Sequence, residues 1–153
     1  MTPAARVQAA MDILDLIIES ARDNGPAADV QIAGWFKTRR FAGSGDRRAI
    51  RDLVYRAIRS FGERPWSGRE AFVGLAQQDA DLAALFTGGQ FGPAPLDAGE
   101  PAAHASPMPS WLKSELSPLI GAEEQAALLG RAGLDLRANT LKTDRAAMLA
   151  VME

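Results

Sequence analysis

Apolar residues recur at three- and four-residue intervals over most of the chain, the period of a helix with one buried face. The first series runs Val7, Ala10, Met11, Leu14, Ile17, Ile18 and Ala21. Thr2 before Pro3 supplies an N-cap and a first-turn proline, and Gly25-Pro26 ends the element. A second helix is predicted over Ala27–Arg39, with Ile32, Trp35 and Phe36 inward. Gly43-Ser44-Gly45-Asp46 reads as a turn ending in an N-cap residue, opening a third helix that runs to about Ser60. Ser67 with Glu70 forms the capping-box pattern of a fourth helix. Asp79–Phe86 reads as a short fifth helix, ended by Gly88-Gly89.

The stretch Gln90–Pro109 holds five prolines and reads as a connector lying over the surface. Beyond it, Pro109-Ser110-Trp111 begins a helix to about Leu119, and Ala122–Gly130 is the next. The period then changes. Leu134 to Lys142 alternates apolar and polar residues, the one strand-like pattern in the chain. Thr143 is the expected cap of a last helix, Asp144–Met152. A single strand leaves its backbone groups unpaired, so the expected architecture is an interrupted α/β unit, a piece of something longer. Pairing of that strand in a dimer, or an extended arm, is the other reading.

A chain of 153 residues can bury roughly 70% of its unfolded surface and needs no staple. The absence of cysteine excludes disulfides, thiolate metal sites and a cysteine nucleophile. No apolar run reaches the roughly 18 residues of a membrane span, and the N-terminus lacks the pattern of a signal peptide. A cytoplasmic, non-membrane protein is expected. His104, the single histidine, lies in the Pro-rich stretch without partners for a metal site or a triad. Gly43-Ser44-Gly45 follows no strand, and Arg48 stands where a dinucleotide fingerprint needs its third glycine. Trp35, Trp66 and Trp111 are expected in the core or between helices.

Charge changes this picture. Residues 1–34 carry net −3, residues 35–72 net +6 and residues 73–153 net −5, within a formal total of −2. On a helical wheel, Leu53, Val54, Ala57 and Phe61 fall within about 60° of Ile50. Arg48, Arg51, Tyr55, Arg56 and Arg59 occupy the opposite side, with Asp52 the one acid on that face. Arg47 stands near the helix start, and Lys37, Arg39 and Arg40 end the preceding helix. Guanidinium groups bind phosphate bidentately and a tyrosine stacks on a base or bonds a phosphate, so the pattern suits a nucleic-acid backbone track. A solvated helix face with local ion pairs is the alternative.

Two segments carry a family resemblance. Asp46-Arg47-Arg48-Ala49-Ile50-Arg51-Asp52-Leu53-Val54-Tyr55-Arg56-Ala57-Ile58-Arg59, followed by Trp66, resembles the core helix of the NusB-like domain. Pro109-Ser110-Trp111-Leu112, the helix around Glu123–Arg131 and Arg137-Ala138-Asn139-Thr140-Leu141-Lys142 look like the RNA-binding lead-in of the RsmB (Sun/Fmu) rRNA (cytosine-5) methyltransferases. Gly133 and Ala138 depart from the proline and valine common there. The resemblance implies a mainly α chain. Residues 1–89 would be a NusB-like helical bundle that binds RNA and 90–109 a connector. Residues 110–153 would be a truncated RNA-recognition-like α/β segment with one strand. It implies ribosomal RNA as partner, contacted by Arg47, Arg48, Arg51, Arg56 and Arg59 on the helix and by Arg137, Asn139 and Lys142 in the motif. It also implies a following catalytic domain that uses S-adenosylmethionine. No cofactor, metal or catalytic residue is expected in this chain itself. A stand-alone NusB-like antitermination module and a helical domain docking an acidic protein are the competing readings.

Overall fold

The computed structural model describes residues 1–129, 133 and 135–152. Among them are eight helices and no sheet. Helix α1 spans Pro3–Arg22, α2 Ala28–Thr38, α3 Ser44–Ser60 and α4 Gly68–Ala76. Then come the single-turn α5 (Ala80–Ala83) and α6 (Ser110–Lys113), followed by α7 (Ala122–Leu129) and α8 (Arg145–Met152).

The expected apolar stripe of α1 is the spine of the core. Val7, Ala10, Met11, Leu14 and Ile18 are buried, and α1 packs against α2, α3 and α4. Its start is capped by the Thr2 hydroxyl, which accepts from the Ala5 N–H at 3.2 Å. Its end is a Schellman turn, with Asn24 at φ 52° and the Gly25 N–H donating to the Ser20 carbonyl at 2.7 Å. Helix α4 is apolar almost all round and seven of its nine residues are buried. It packs on α1, α3 and α5.

The caps refine several boundaries. Helix α3 begins at Ser44 with Gly43 as N-cap, so Asp46 lies in the first turn rather than at the cap. There it accepts from the Arg6 Nε at 2.8 Å and the N-terminal ammonium at 3.2 Å. Ser67 caps α4 as expected, accepting from the Glu70 N–H at 3.1 Å. The Glu70 carboxylate reaches one residue further back, to the Trp66 N–H at 2.6 Å. Asp79 caps α5 through the Leu82 N–H, and single turns rather than helix carry the chain on to Phe86. For α8 the cap is Asp144, not Thr143: its carboxylate accepts from the Ala147 N–H at 2.9 Å.

The Pro-rich stretch is a strap pinned across the bundle. Pro93, Ser106 and Met108 are buried. The Ser106 N–H donates to the Ser60 carbonyl, and the Gly62 N–H donates back to the Ser106 carbonyl. These form a single parallel bridge between Phe61 and Ser106. The Ala103 N–H donates to the Glu70 carbonyl at 3.0 Å. Arg69 pairs with Glu100 through two nitrogens and also donates to the Ala94 and Pro95 carbonyls. Contact is closest at two glycines. A methyl group on Gly74 would strike the Ala103 carbonyl, and one on Gly62 the Met108 carbonyl.

The strand expected over Leu134–Lys142 is not formed. Leu134 lies outside the described residues, as do Gly130 and Arg131 of the helix predicted before it. Among the described residues 135–139 have no ladder partner, and 140–142 are a turn in which the Asn139 carbonyl accepts from the Lys142 and Thr143 N–H groups. Among the described residues the alternation has no second strand to pair with, so its backbone stays with local turn bonds and solvent. Helix α6 is one turn, stopping at Lys113 rather than near Leu119, and no side chain of α6 or α8 is buried.

Two tests follow from the strap. Gly74→Ala overpacks a helix–strap contact and is expected to cost about 1–3 kcal/mol, lowering the melting temperature. Gly34→Ala, at an open helical position, gains about 0.5–1 kcal/mol and raises it. The second concerns pH. The Arg69 guanidinium holds the Glu100 carboxyl below its usual 4.5. A depressed folded value means its stabilisation is complete above 4.5 and is lost as pH falls through the folded value. In urea titrations Glu100→Gln is expected to show a shallower acid loss of stability than wild type; equal slopes would refute the anchoring role.

Candidate nucleic-acid interface

Helix α3 sorts its residues by face. Ile50, Val54 and Ala57 are buried on one side, continued by Phe61 just beyond the helix. Arg48, Arg51 and Arg59 are exposed on the other. Among the described residues none of these three makes an ion pair or a side-chain hydrogen bond. From Arg48 to Arg59 the stripe extends about 16 Å along the axis at 1.5 Å per residue. Lys37 and Arg40, at the end of α2, are likewise exposed and unpaired among the described residues.

The remaining nominated arginines are engaged in the fold. The Arg47 Nε donates to the Ala42 carbonyl at 2.8 Å, and its guanidinium lies 5.6 Å from the Phe36 ring. That pair closes the turn between α2 and α3. The Arg39 guanidinium lies 4.2 Å over the Trp35 ring. Arg56 pairs with Asp79 at 2.7 Å, tying α3 to the start of α5, rather than with Asp52 on its own helix. The Leu82 N–H first and Arg56 second hold the Asp79 carboxyl below its usual range. Tyr55 is half-buried against the core cluster.

Arg137, Asn139 and Lys142 are exposed around the C-terminal turn. The Asn139 side chain accepts from the Leu141 N–H at 3.1 Å, so it shapes that turn. No hydrogen bond or ion pair joins these three residues to α3 among the described residues.

Of the three tryptophans, Trp35 is in the core, 5% exposed, whereas Trp66 is 80% and Trp111 68% exposed. The sequence placed all three in packing roles, because a tryptophan alone carries no sign of whether a neighbour covers it. Trp66 is held by its backbone. Arg22 donates to its carbonyl at 3.1 Å and lies 5.5 Å from the ring. Phe41 and Phe91 are exposed aromatics with no warning in their local pattern.

Among the described residues no group of three or more His, Asp or Glu side chains is close enough to hold a metal, and no helix is long and apolar enough to cross a membrane. The arrangement offers charge and aromatic surface. No family model, curated protein or solved structure matches the chain.

The two classes of arginine are separable by stability. Arg47→Ala loses a carbonyl bond and a ring contact and is expected to cost about 1–2 kcal/mol. Arg48→Ala and Arg51→Ala are expected within about 0.5 kcal/mol of wild type. Urea unfolding of the three variants checks the division.

Proposed function

We propose that the chain is an RNA-binding module whose contact face is the exposed side of α3, extended by the end of α2. One observation carries this reading: Arg48, Arg51 and Arg59 line a single helix face without counter-ions among the described residues, although the chain as a whole is acidic. A stripe of unpaired guanidinium groups makes a positive surface potential that draws an anion to it. Phosphates at backbone spacing are the anions that a stripe of this length suits.

The resemblance of the α3 segment and of Pro109–Lys142 to the RsmB-type proteins extends the proposal. The RNA would be ribosomal, and the chain the N-terminal, non-catalytic portion of an rRNA (cytosine-5) methyltransferase with a NusB-like bundle. S-adenosylmethionine would then belong to a separate catalytic domain. Within this chain the engaged residues Arg47 and Arg56 position the helices, while Lys37, Arg39, Arg40, Arg48, Arg51 and Arg59 meet RNA. Arg137 and Lys142 would add contacts from the C-terminal turn.

Salt titration of RNA binding tests the proposal. For wild type, log affinity should fall linearly with log salt, by about 0.7–0.9 per phosphate contact. The triple reversal Arg48→Glu, Arg51→Glu, Arg59→Glu should reduce that slope by about two to three and weaken binding at least about a hundredfold at low salt. Unchanged RNA binding in the triple variant would sink the reading and leave the arginine face to an acidic protein partner.

A further inference from the structure

A groove of about 770 Å³ opens where α1 begins and α2 ends. That volume lies in the range of about 300–1,000 Å³ usual for small-ligand sites. Two phenylalanine rings stand on it, Phe41 at 71% and Phe91 at 75% exposure. Exposed aromatics scattered over a surface mean little, but two on one groove mark a binding surface.

Phe91 is also held in an unusual backbone state. Its φ is 66°, a left-handed conformation that bulky side chains seldom adopt. The turn around it is closed by the Gly92 N–H donating to the Gly89 carbonyl at 2.9 Å, and Gly92 seats against Ala4 of α1. Such strain concentrates at ligand clamps. Glycine at position 91 would relieve it and lose the ring.

The polar lining narrows the ligand. The Gln8 Nε2 donates to the Asp12 Oδ1 at 2.8 Å. This leaves the Asp12 Oδ2 and the Gln8 carbonyl oxygen as neighbouring acceptors without partners among the described residues. An apolar peptide or an acyl chain would bury them unsatisfied. A flat aromatic group with N–H donors on its edge would satisfy them while stacking on the rings. Arg39 lines the same groove, its guanidinium 4.2 Å over the Trp35 ring that also lines it, so a negative charge attached to that flat group would be met.

We propose that this groove holds one unpaired base of single-stranded RNA. Phe41 and Phe91 stack on the base, Asp12 and Gln8 take its N–H edge, and Arg39 meets its phosphate. The inference rests on the RNA-binding reading and adds to it a preference for single strands, since a base in a duplex cannot reach the rings.

The test compares a fluorescent single-stranded RNA of about 10 nucleotides with the corresponding duplex at one salt concentration. Phe41→Ala/Phe91→Ala should weaken single-strand binding at least about fivefold per ring and leave duplex binding unchanged. Phe41→Tyr/Phe91→Tyr should retain the single-strand affinity. Phe91→Gly should leave the melting temperature at or above that of wild type while losing single-strand affinity, which separates stacking from misfolding. Full single-strand affinity in the double alanine variant, together with a loss on reversing Arg48, Arg51 and Arg59, would overturn the groove and leave the RNA reading intact. Parallel losses on both probes would also overturn it. Wild type binding neither probe would sink both.

Discussion

The burial of α4 sets the terms for the rest of the bundle. Seven of its nine residues are inaccessible, so the helix needs cover on every side. Helix α1 supplies one wall, at a contact so close that a methyl group on Gly68 would strike the Met11 carbonyl. The strap supplies another at Gly74, where the Ala103 backbone lies directly on the helix. Both contacts bring backbone against backbone, which only a residue without a side chain allows. Proline serves the strap because the segment must cross the helices extended, with few N–H groups left needing partners.

Electrostatics in this fold does two separate jobs. Carboxylates clamp parts of the chain that are distant in sequence. Asp46 holds the N-terminus, Asp79 the end of α3, Glu100 the strap, and Glu63 the start of α6 through the Ser110 N–H and hydroxyl at 2.7 Å. For Asp46, the Arg6 guanidinium first and the N-terminal ammonium second hold the carboxyl below its usual range; for Glu63 the Ser110 N–H leads. The arginines recruited by these clamps thereby have their counter-ions within the fold. What remains unpaired on α3 among the described residues is a narrower stripe than the count of basic residues implies.

The C-terminal part stands apart in its packing. Trp111, Leu119, Leu136, Leu141 and Val151 are exposed, and α8 buries nothing. An amphipathic pattern yields a packed element only where a second apolar face meets it. That is why the alternation before Lys142 ends as an Asn139 turn.

Much of the helical bundle was legible in the chain itself. The period of three and four along α1, the Thr2 and Ser67 caps, the Gly25-Pro26 stop and the division of α3 into an apolar and an arginine face are local properties, written within a turn or two of each residue. Tertiary structure alone decided which arginines remain unpaired, because Arg56 finds its acid at the start of α5 rather than on its own helix. It decided that Trp35 is covered and Trp66 is not. It turned the Pro-rich stretch from a connector into a strap, since Arg69 and Glu100 lie 31 residues apart. It also gathered Phe41 and Phe91 on one groove. Helix periodicity repeats every few residues and can be read along the chain, whereas a contact across dozens of residues leaves no periodic trace and exists only once the backbone has closed on itself.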